Sequence, residues 1–395
     1  MNDRTFFFRH LAQTSSFPLA LEIVSAEGLY MYGADGKEYM DLISGISVSA
    51  LGHRHPAVVS AVKEQADKYM HLMVYGEFVQ SPQVQLAALL SDVLPDQLDQ
   101  VYFVNSGSEA VEGALKLAKR YTARREIVSF CNAYHGSSHG SLSVTGNESL
   151  KRAFRPLLPN IYHIPFGDTA SFDAITENTA CVIVETIQGE AGAVTTDAHF
   201  FHELRKRCSD TGALLIMDEI QTGMGRTGKL WAFEHYGIAP DILTLAKGLG
   251  GGLPIGAFIS GKKIMQSLTH DPVLGHISTF GGNAVCAAAS RACLETIVRE
   301  ELWKNAERQG ELFKSLLKHP KIKNIRGRGL LLAVEFDSFD QCKAIIDTCI
   351  ARGLITDWFL FADNCMRVAP PLIIQEHEVR IACDIILQAI DQNSG

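Results

Sequence analysis

The sequence lacks an excess of basic residues. Its 36 Lys and Arg residues are outnumbered by 44 Asp and Glu residues, which gives a formal net charge of −8. Nucleic acids and anionic membrane surfaces are recognised through clustered positive charge. We therefore expect no nucleic-acid or membrane partner, and small molecules become the favoured partners by elimination.

Long hydrophobic runs are missing as well. No window approaches the roughly 18 consecutive apolar residues of a membrane-spanning helix, and residues 1–10 contain no apolar stretch of signal-peptide length. The nine cysteines are an odd number and include no CxxC pair, a pattern typical of reduced, packed thiols. These features together predict a cytoplasmic protein.

The composition is that of a folded protein, with 47% hydrophobic and 20% charged residues. A chain of 395 residues is too long for one ordinary core, so we expect a large domain and a smaller one. Alternating residues around Asp35-Gly36 predict a hairpin within 22–43. Helices are expected from Pro56 and from Ser81 to Val93.

The middle of the chain alternates strands with helices, as in a mainly parallel sheet covered on both faces. A long helical pattern over 283–317 then leads to a second, small α+β unit. The predicted strands are 101–104, 127–130, 181–184, 214–217, 242–246, 255–259, 330–336 and 366–368, and the main predicted helices are 109–121, 339–352 and 376–391.

Two stretches have the residues of a binding site. Asn105–Glu109 follows a strand and opens a helix, so its backbone N–H groups suit either a phosphate or a simple helix cap. Gly223–Lys229 has the G-x-x-x-x-G-K spacing of a nucleotide-binding loop, but Leu230 stands where a hydroxyl must hold magnesium. The nucleotide interpretation is therefore the weaker one.

Metal binding has little support in the sequence. His53 with His55, and His135 with His139, have ligand-like spacings, yet neither pair has an obvious third ligand nearby. No HExxH motif occurs. We therefore predict no metal, and interpret these histidines as exposed or satisfied by ordinary hydrogen bonds.

Asp218 and Lys247 follow two predicted strands, where ligands bind in doubly wound sheets. Each residue alone is as easily structural. A carboxylate there can keep a pyridine nitrogen protonated, and a partly desolvated lysine can form a Schiff base. Combined with a phosphate site at Asn105–Glu109, the two residues predict pyridoxal 5'-phosphate as cofactor.

The sequence resembles, over essentially its whole length, the class III pyridoxal-phosphate aminotransferases of fold type I, of the ornithine and acetylornithine type. The resemblance rests on the order of many separate motifs, which chance does not reproduce. They are Ser44–Val48, Leu51–His53, His55–Pro56, Asn105–Ala110, Tyr134–Gly136, Glu185 with Gly189–Glu190, Asp218–Gly223, Lys247, Ser278–Asn283, and Arg367 with Pro370–Leu372.

This resemblance implies an α/β fold, a cofactor site and a homodimer with shared active sites. The large cofactor-binding domain is expected over 51–285, and the small domain would combine 1–50 with 286–395. Lys247 would be the catalytic Schiff-base lysine and Asp218 the partner of the pyridinium nitrogen. The other implied cofactor-binding residues are Gln221 at the ring hydroxyl, Tyr134 and His135 at the ring, Gly107 and Ser108 at the phosphate, and Thr279 at the phosphate of the neighbouring subunit.

The resemblance also implies how substrates are bound. Arg367 would clamp a substrate carboxylate, Glu190 would pair with this arginine and release it, and Glu185 would line the same region. The sequence departs from the pattern at Ser137, where an arginine usually helps to hold the donor's carboxylate. The donor is therefore either free of a carboxylate at that end or held there by another residue.

The function implied is a two-stage amino transfer from an ω-amino compound to a keto acid such as 2-oxoglutarate or pyruvate. An aminomutase or decarboxylase on the same fold is the alternative, because residues that bind the cofactor do not fix the fate of the substrate. A non-catalytic binding protein is disfavoured by the presence of Lys247.

Overall fold

A computed structural model describes residues 3–75 and 78–393 of the chain. Fifteen strands are formed within these ranges. They are β1 Ile23–Glu27, β2 Tyr30–Gly33, β3 Glu38–Asp41, β4 Gln100–Val104, β5 Glu126–Phe130, β6 Ile161–Ile164, β7 Thr179–Glu185, β8 Leu214–Asp218, β9 Ile242–Leu245, β10 Gly256–Ser260, β11 Asn324–Arg328, β12 Leu331–Glu335, β13 Leu354–Ile355, β14 Trp358–Phe359 and β15 Ala362–Val368.

The helices expected from Pro56 and from Ser81 are present with those starts. Both of these helices carry proline in the first turn, where its missing N–H has no intrahelical partner to lose. The α-helices are α1 Asp3–His10, α2 Ser44–Ser47, α3 Pro56–Lys68, α4 Ser81–Val93, α5 Gly107–Thr122, α6 His139–Val144, α7 Glu148–Lys151, α8 Ala198–Thr211, α9 Lys262–Met265, α10 Ala284–Arg299, α11 Leu302–Leu316, α12 Phe339–Ala351 and α13 Glu376–Gln392.

The centre of the molecule is a seven-stranded sheet in the order β4-β10-β9-β8-β7-β5-β6. Strands β5 to β9 pair in parallel, and β10 runs antiparallel to both of its neighbours. The predicted, mainly parallel sheet is thus confirmed. The edge strand β6 was not predicted, because its sequence mixes polar residues with apolar ones and only one side of it is paired.

Side chains of the central strands are buried on both faces of this sheet. Val182, Val184 and Met217 pack into the larger apolar core, whereas Ile183 and Ile216 pack into a second core on the opposite face. Successive residues of a strand point to opposite faces, so continuous apolar runs are what a sheet covered on both sides requires.

Two smaller sheets are built from the ends of the chain. One has the order β1-β2-β3-β13, and its last strand comes from the C-terminal part, with Leu354 and Ile355 opposite Met40 and Asp41. The other has the order β11-β12-β15-β14. This pairing supports the small domain formed by both ends, whose bounds remain a prediction. Its outermost residues, 1, 2, 394 and 395, lie outside the described ranges.

None of the helices within the described ranges is long and apolar enough to cross a membrane.

The long helix expected over 283–317 is wrong in one respect, since two helices occupy this segment. Helix α10 ends at Arg299 and α11 begins at Leu302. Between them Glu301 adopts a left-handed conformation with φ of 48°. The left-handed conformation costs a residue other than glycine about 1–2 kcal/mol. No glycine or proline marks the break in the sequence.

We expect Glu301→Gly to stabilise the protein by up to about 1 kcal/mol, because glycine adopts positive φ without that cost. The matched control is Glu300→Gly, since Glu300 has a φ of −95° and gains nothing from glycine's freedom. Urea unfolding of both variants measures the difference. A destabilised Glu301→Gly would show that the exposed ion pair of Glu301 with Lys304 outweighs the backbone strain.

Candidate active site

Three neighbouring strands end beside one another and carry charged residues at their carboxyl ends. Glu185 of β7 lies opposite Asp218 of β8, and Asp218 lies opposite Thr244 of β9. Lys247 follows β9 and begins a 3-10 turn that extends to Gly250. The parallel register thus brings the two carboxylates and the lysine to one edge of the sheet, as the sequence predicts.

A cavity of about 460 Å³ opens at this edge. It is lined by parts of the β4–α5 turn, the Tyr134–Gly136 segment and the ends of β7, β8 and β9. The lining residues are Val48, Asn105, Ser106, Gly107, Ser108, Tyr134, His135, Gly136, Glu185, Asp218, Ile220, Gln221, Thr222, Ala246, Lys247, Gly252, Leu253, Pro254 and Ile255. Most of the predicted cofactor-binding residues are therefore brought together, with Thr279 as the exception.

Asp218 is held by two hydrogen bonds in the buried part of the cavity. His135 Nδ1 lies 2.7 Å from Asp218 Oδ2, and the backbone N–H of Ile220 donates to Oδ1 at 3.0 Å. His135 is in turn fixed by its backbone N–H, which donates to Thr145 Oγ1 at 3.1 Å. A buried carboxylate is costly unless it is hydrogen-bonded, so these contacts keep the Asp218 carboxylate in place.

The N-terminus of α5 forms one end of the cavity. Ser106 caps the helix by accepting a hydrogen bond from the Glu109 N–H at 3.2 Å. Gly107 and Ser108 follow, and a side chain at Gly136, whose φ is 126°, would collide with Ser108 Oγ. Free N–H groups at a helix start and the helix dipole favour an anion here.

Tyr134 and Ser137 lie beside that helix start. The Tyr134 N–H donates to Glu185 Oε2 at 3.0 Å, and the Tyr134 hydroxyl is 3.2 Å from Ser137 Oγ. The Ser137 N–H donates to Ser108 Oγ at 3.2 Å. The tyrosine is partly exposed towards the cavity, and Ser137 places a neutral hydroxyl beside it.

Lys247 has an unusual backbone and a perturbed side chain. Its φ is 45°, a conformation in which a lysine is strained. Burial lowers the pKa of Lys247, Glu190 and Asp218 oppose the shift, and Arg367 adds to it. A lower pKa increases the fraction of neutral amine, which is the nucleophilic form.

Arg367 and Glu190 form a buried ion pair close enough to influence Lys247 electrostatically, although neither belongs to the cavity lining. Arg367 Nη1 and Nη2 donate to the two carboxylate oxygens of Glu190 at 3.0 and 3.1 Å. Water hardly reaches the Arg367 side chain, which is only 2% exposed. Its attraction holds the pKa of Glu190 below the ordinary value although burial acts in the opposite direction.

Gln221 and Thr279 differ in their placement. Gln221 is buried in the cavity wall, and its Nε2 has no hydrogen-bond partner in the part of the chain that the structure describes. Thr279 is exposed and lies outside the lining of the cavity of its own chain. The neighbouring Ser278 Oγ accepts a hydrogen bond from Asn105 Nδ2 at 3.2 Å, which fixes the start of this segment.

The nucleotide-loop alternative does not fit the structure. Residues 223–228 are buried, and a side chain at Gly228 would meet Glu307 at 3.0 Å. The Arg226 guanidinium donates to the backbone oxygens of Leu330 and Pro370. The loop therefore packs against the C-terminal part of the chain, and Lys229 is its only exposed residue.

Two of the histidines considered as metal ligands pair with carboxylates instead, and a third is exposed. His53 Nε2 lies 2.9 Å from Asp41 Oδ2, His135 contacts Asp218, and His139 is exposed. Within residues 3–75 and 78–393 no cluster of three or more His, Cys, Asp or Glu side chains is placed to hold a metal ion.

Sequence reasoning missed one charged residue of the Arg367 cluster. Asp357 Oδ1 accepts a hydrogen bond from Arg367 Nε at 2.8 Å. It lies in a short connection between β13 and β14, two strands of two residues each that were not predicted. Nothing in the local pattern marks it, because the contact depends on how that connection folds against β15.

The pH dependence of stability tests the buried carboxyl of Glu185. Burial, with a contribution from Asp218, raises the pKa of Glu185 to about 7. Between its ordinary value of about 4.3 and 7, the native protein binds more protons than the unfolded chain. Stability must then fall as the pH rises through this window.

We expect Glu185→Gln to flatten this slope by up to about 1.4 kcal/mol per pH unit. The measurement is urea unfolding of the cofactor-free protein from pH 5 to pH 8, with the exposed Glu177→Gln as a control that keeps the wild-type slope. Identical slopes for Glu185→Gln and wild type would contradict a raised pKa at this site.

Comparison with known proteins agrees with the geometry. The sequence profile of the family Aminotransferase class-III matches residues 11–390. The acetylornithine aminotransferase of Methanopyrus kandleri is 40% identical over 386 residues, which cover 96% of each chain. Among solved structures, the ornithine aminotransferase of Toxoplasma gondii superposes with a TM-score of 0.92 at 30% identity, covering 100% of this chain and 96% of that one. An (S)-enantioselective omega-transaminase from Thermomicrobium roseum has a TM-score of 0.92 at 28% identity, with 99% and 98% covered.

These findings confirm the predicted fold type I, the aminotransferase activity and the dependence on pyridoxal 5'-phosphate. The matched region contains every motif on which the resemblance rests. The chain belongs to the class III aminotransferase family.

Proposed function

We propose that this enzyme moves an amino group from an ω-amino donor to a keto acid, 2-oxoglutarate or pyruvate, in a two-stage cycle. The observation that supports this most strongly is the meeting of Lys247, Asp218 and the N-terminus of α5 in one cavity. Lysine, carboxylate and anion site are the three anchors that pyridoxal phosphate requires at its aldehyde, its ring nitrogen and its phosphate.

The residues present fit this cofactor. In the described chain, the Nε2 atoms of both Gln221 and His135 are buried without a partner, and polar atoms in that state are rare unless a ligand or water completes them. Gln221 would bind the ring hydroxyl, and His135 would hold Asp218 against the ring nitrogen. Gly107 and Ser108 would bind the phosphate through the start of α5.

When bound, pyridoxal phosphate supplies an aldehyde that condenses with amines and a ring that accepts the electrons of the broken bond. Lys247 would hold the aldehyde and, once released, would carry the proton between donor and cofactor carbons. Its lowered pKa increases the fraction of neutral amine available for this work. Tyr134 would cover one face of the ring with its flat apolar body.

Arg367 is the proposed clamp for a substrate carboxylate, because its Nη1 and Nη2 atoms form a planar pair of donors. Glu190 occupies that pair of donors and would leave it when a dicarboxylate arrives. Glu185, which lines the cavity, would border the same region. Removing one partner of such a buried pair without replacement costs about 3–5 kcal/mol, so exchange for another carboxylate is the economical route.

The identity of the donor depends on Ser137. Relatives of this chain are named acetylornithine and ornithine aminotransferases, which supports an ω-amino donor. At Ser137 the site offers a hydroxyl, hydrogen-bonded to Tyr134, instead of a cation. We therefore favour donors without a carboxylate at that end.

A homodimer is proposed from the position of Thr279. This residue is exposed beside Ile277 and Phe280, which are 68% and 56% exposed, and apolar surface of that kind favours a protein partner. Thr279 would then bind the phosphate in the neighbouring subunit. The cytoplasmic location and the domain bounds 1–50, 51–285 and 286–395 belong to the same proposal.

Product analysis with and without a keto acid tests the proposed reaction. Protein loaded with pyridoxal phosphate is incubated with ornithine, acetylornithine and simple diamines, and the products are identified by mass spectrometry. We expect repeated turnover only when 2-oxoglutarate or pyruvate is present, with glutamate or alanine formed in equal amount. Turnover without any keto acid would instead support the aminomutase or decarboxylase alternative.

A further inference from the structure

Arg367 is shared by two carboxylates that come from different parts of the chain. Glu190 lies in the turn after β7, whereas Asp357 precedes β14, which pairs with the strand of Arg367 itself. Both contacts are short, at 3.0 Å for Glu190 Oε1 and 2.8 Å for Asp357 Oδ1. One buried arginine therefore has a partner on each side.

The two carboxylates bind different atoms of the guanidinium. Glu190 takes one N–H from Nη1 and one from Nη2, and Asp357 takes the N–H of Nε. The backbone oxygen of Trp358 lies 3.4 Å from Nη2, and the ring of Phe359 lies 4.2 Å from the guanidinium carbon. An incoming carboxylate that displaces Glu190 would leave the contacts of Asp357, Trp358 and Phe359 in place.

Asp357 is fixed to the arginine's own strand by backbone hydrogen bonds. The Arg367 N–H donates to the Asp357 carbonyl oxygen at 2.8 Å, and the Thr356 hydroxyl donates to the Arg367 carbonyl oxygen at 2.6 Å. The position of Asp357 relative to Arg367 thus depends on strand pairing. Burial raises the pKa of Asp357 although Arg367 opposes this.

Exchange of Glu190 for a substrate carboxylate requires that Arg367 stay in place. The arginine side chain is long and flexible, and ordering it costs up to about 2 kcal/mol. Because water hardly reaches this side chain, an Arg367 N–H group that loses its acceptor gains no hydrogen bond from solvent. A second acceptor at Nε, anchored in the same sheet, keeps the side chain ordered and leaves Nε with a hydrogen-bond partner.

We propose that Asp357 is a positioning residue for dicarboxylate recognition, which holds Arg367 Nε so that the Nη1 and Nη2 pair stays available when Glu190 leaves. This rests on the proposed role of Arg367. It assigns to Asp357 a hydrogen-bonding function that an uncharged acceptor of the same shape can also perform.

The test measures binding of glutarate, an unreactive dicarboxylate, to the cofactor-loaded enzyme by titration calorimetry. Asp357→Leu keeps the branched shape of the side chain but has no acceptor, and Asp357→Ala removes it. We expect either variant to bind glutarate about tenfold more weakly or worse, the loss associated with one hydrogen bond to a charged group. Asp357→Asn, whose amide oxygen accepts from Nε, should stay within about threefold of wild type.

Asp363→Leu is the matched control, because Asp363 is an exposed carboxylate on the strand of Arg367. It should bind glutarate as wild type does. The cofactor's absorption band and the thermal transition are recorded for every variant, and whichever of the Leu and Ala variants retains both decides the result.

Wild-type affinity in the folded Leu or Ala variant would overturn the proposal, and so would a loss in Asp357→Asn as large as in Asp357→Leu, since charge would then be the cause. Absence of measurable glutarate binding in wild type would overturn it too. Failure of the proposed function is recognised separately, as a wild-type enzyme that binds glutarate but transfers no amino group.

Discussion

The hydrogen bond between His135 Nδ1 and Asp218 Oδ2, 2.7 Å long and buried, is the interaction on which the site depends. It holds a carboxylate at the end of β8, in a place where an unsupported charge would be costly. Because β7 and β9 pair in register with β8, the same strand ends also position Glu185 and the turn of Lys247. The register of the three strands and the fixed Asp218 thus set the geometry of the buried end of the cavity.

A second set of charges connects this edge to the C-terminal part of the chain. Arg367 on β15 reaches Glu190, which follows β7, and both influence the pKa of Lys247. Charges buried this close to each other stabilise only in balanced groups. In the proposed function, a substrate carboxylate would enter by exchange with Glu190, which suits an enzyme that alternates between an amine and a keto acid.

The sequence predicted the elements that local physics determines. Continuous apolar runs gave the strands of the central sheet, and the motifs around Asp218, Lys247 and Asn105–Glu109 gave the cofactor. It did not predict the break at Glu301, where a non-glycine residue adopts positive φ, because tertiary packing overrides local preference there. Asp357 was missed for a similar reason: its contact with Arg367 joins residues whose pairing only the folded sheet reveals.

Lys247 is the residue to which we propose that the cofactor attaches. Purified protein is loaded with pyridoxal phosphate, reduced with borohydride and digested, and the modified lysine is located by mass spectrometry. We expect a pyridoxyl group on Lys247, the same label in Lys229→Ala, and no absorption band of the bound cofactor in a folded Lys247→Ala variant. Stoichiometric labelling of a different lysine, or an unaltered band in Lys247→Ala, would contradict this proposal.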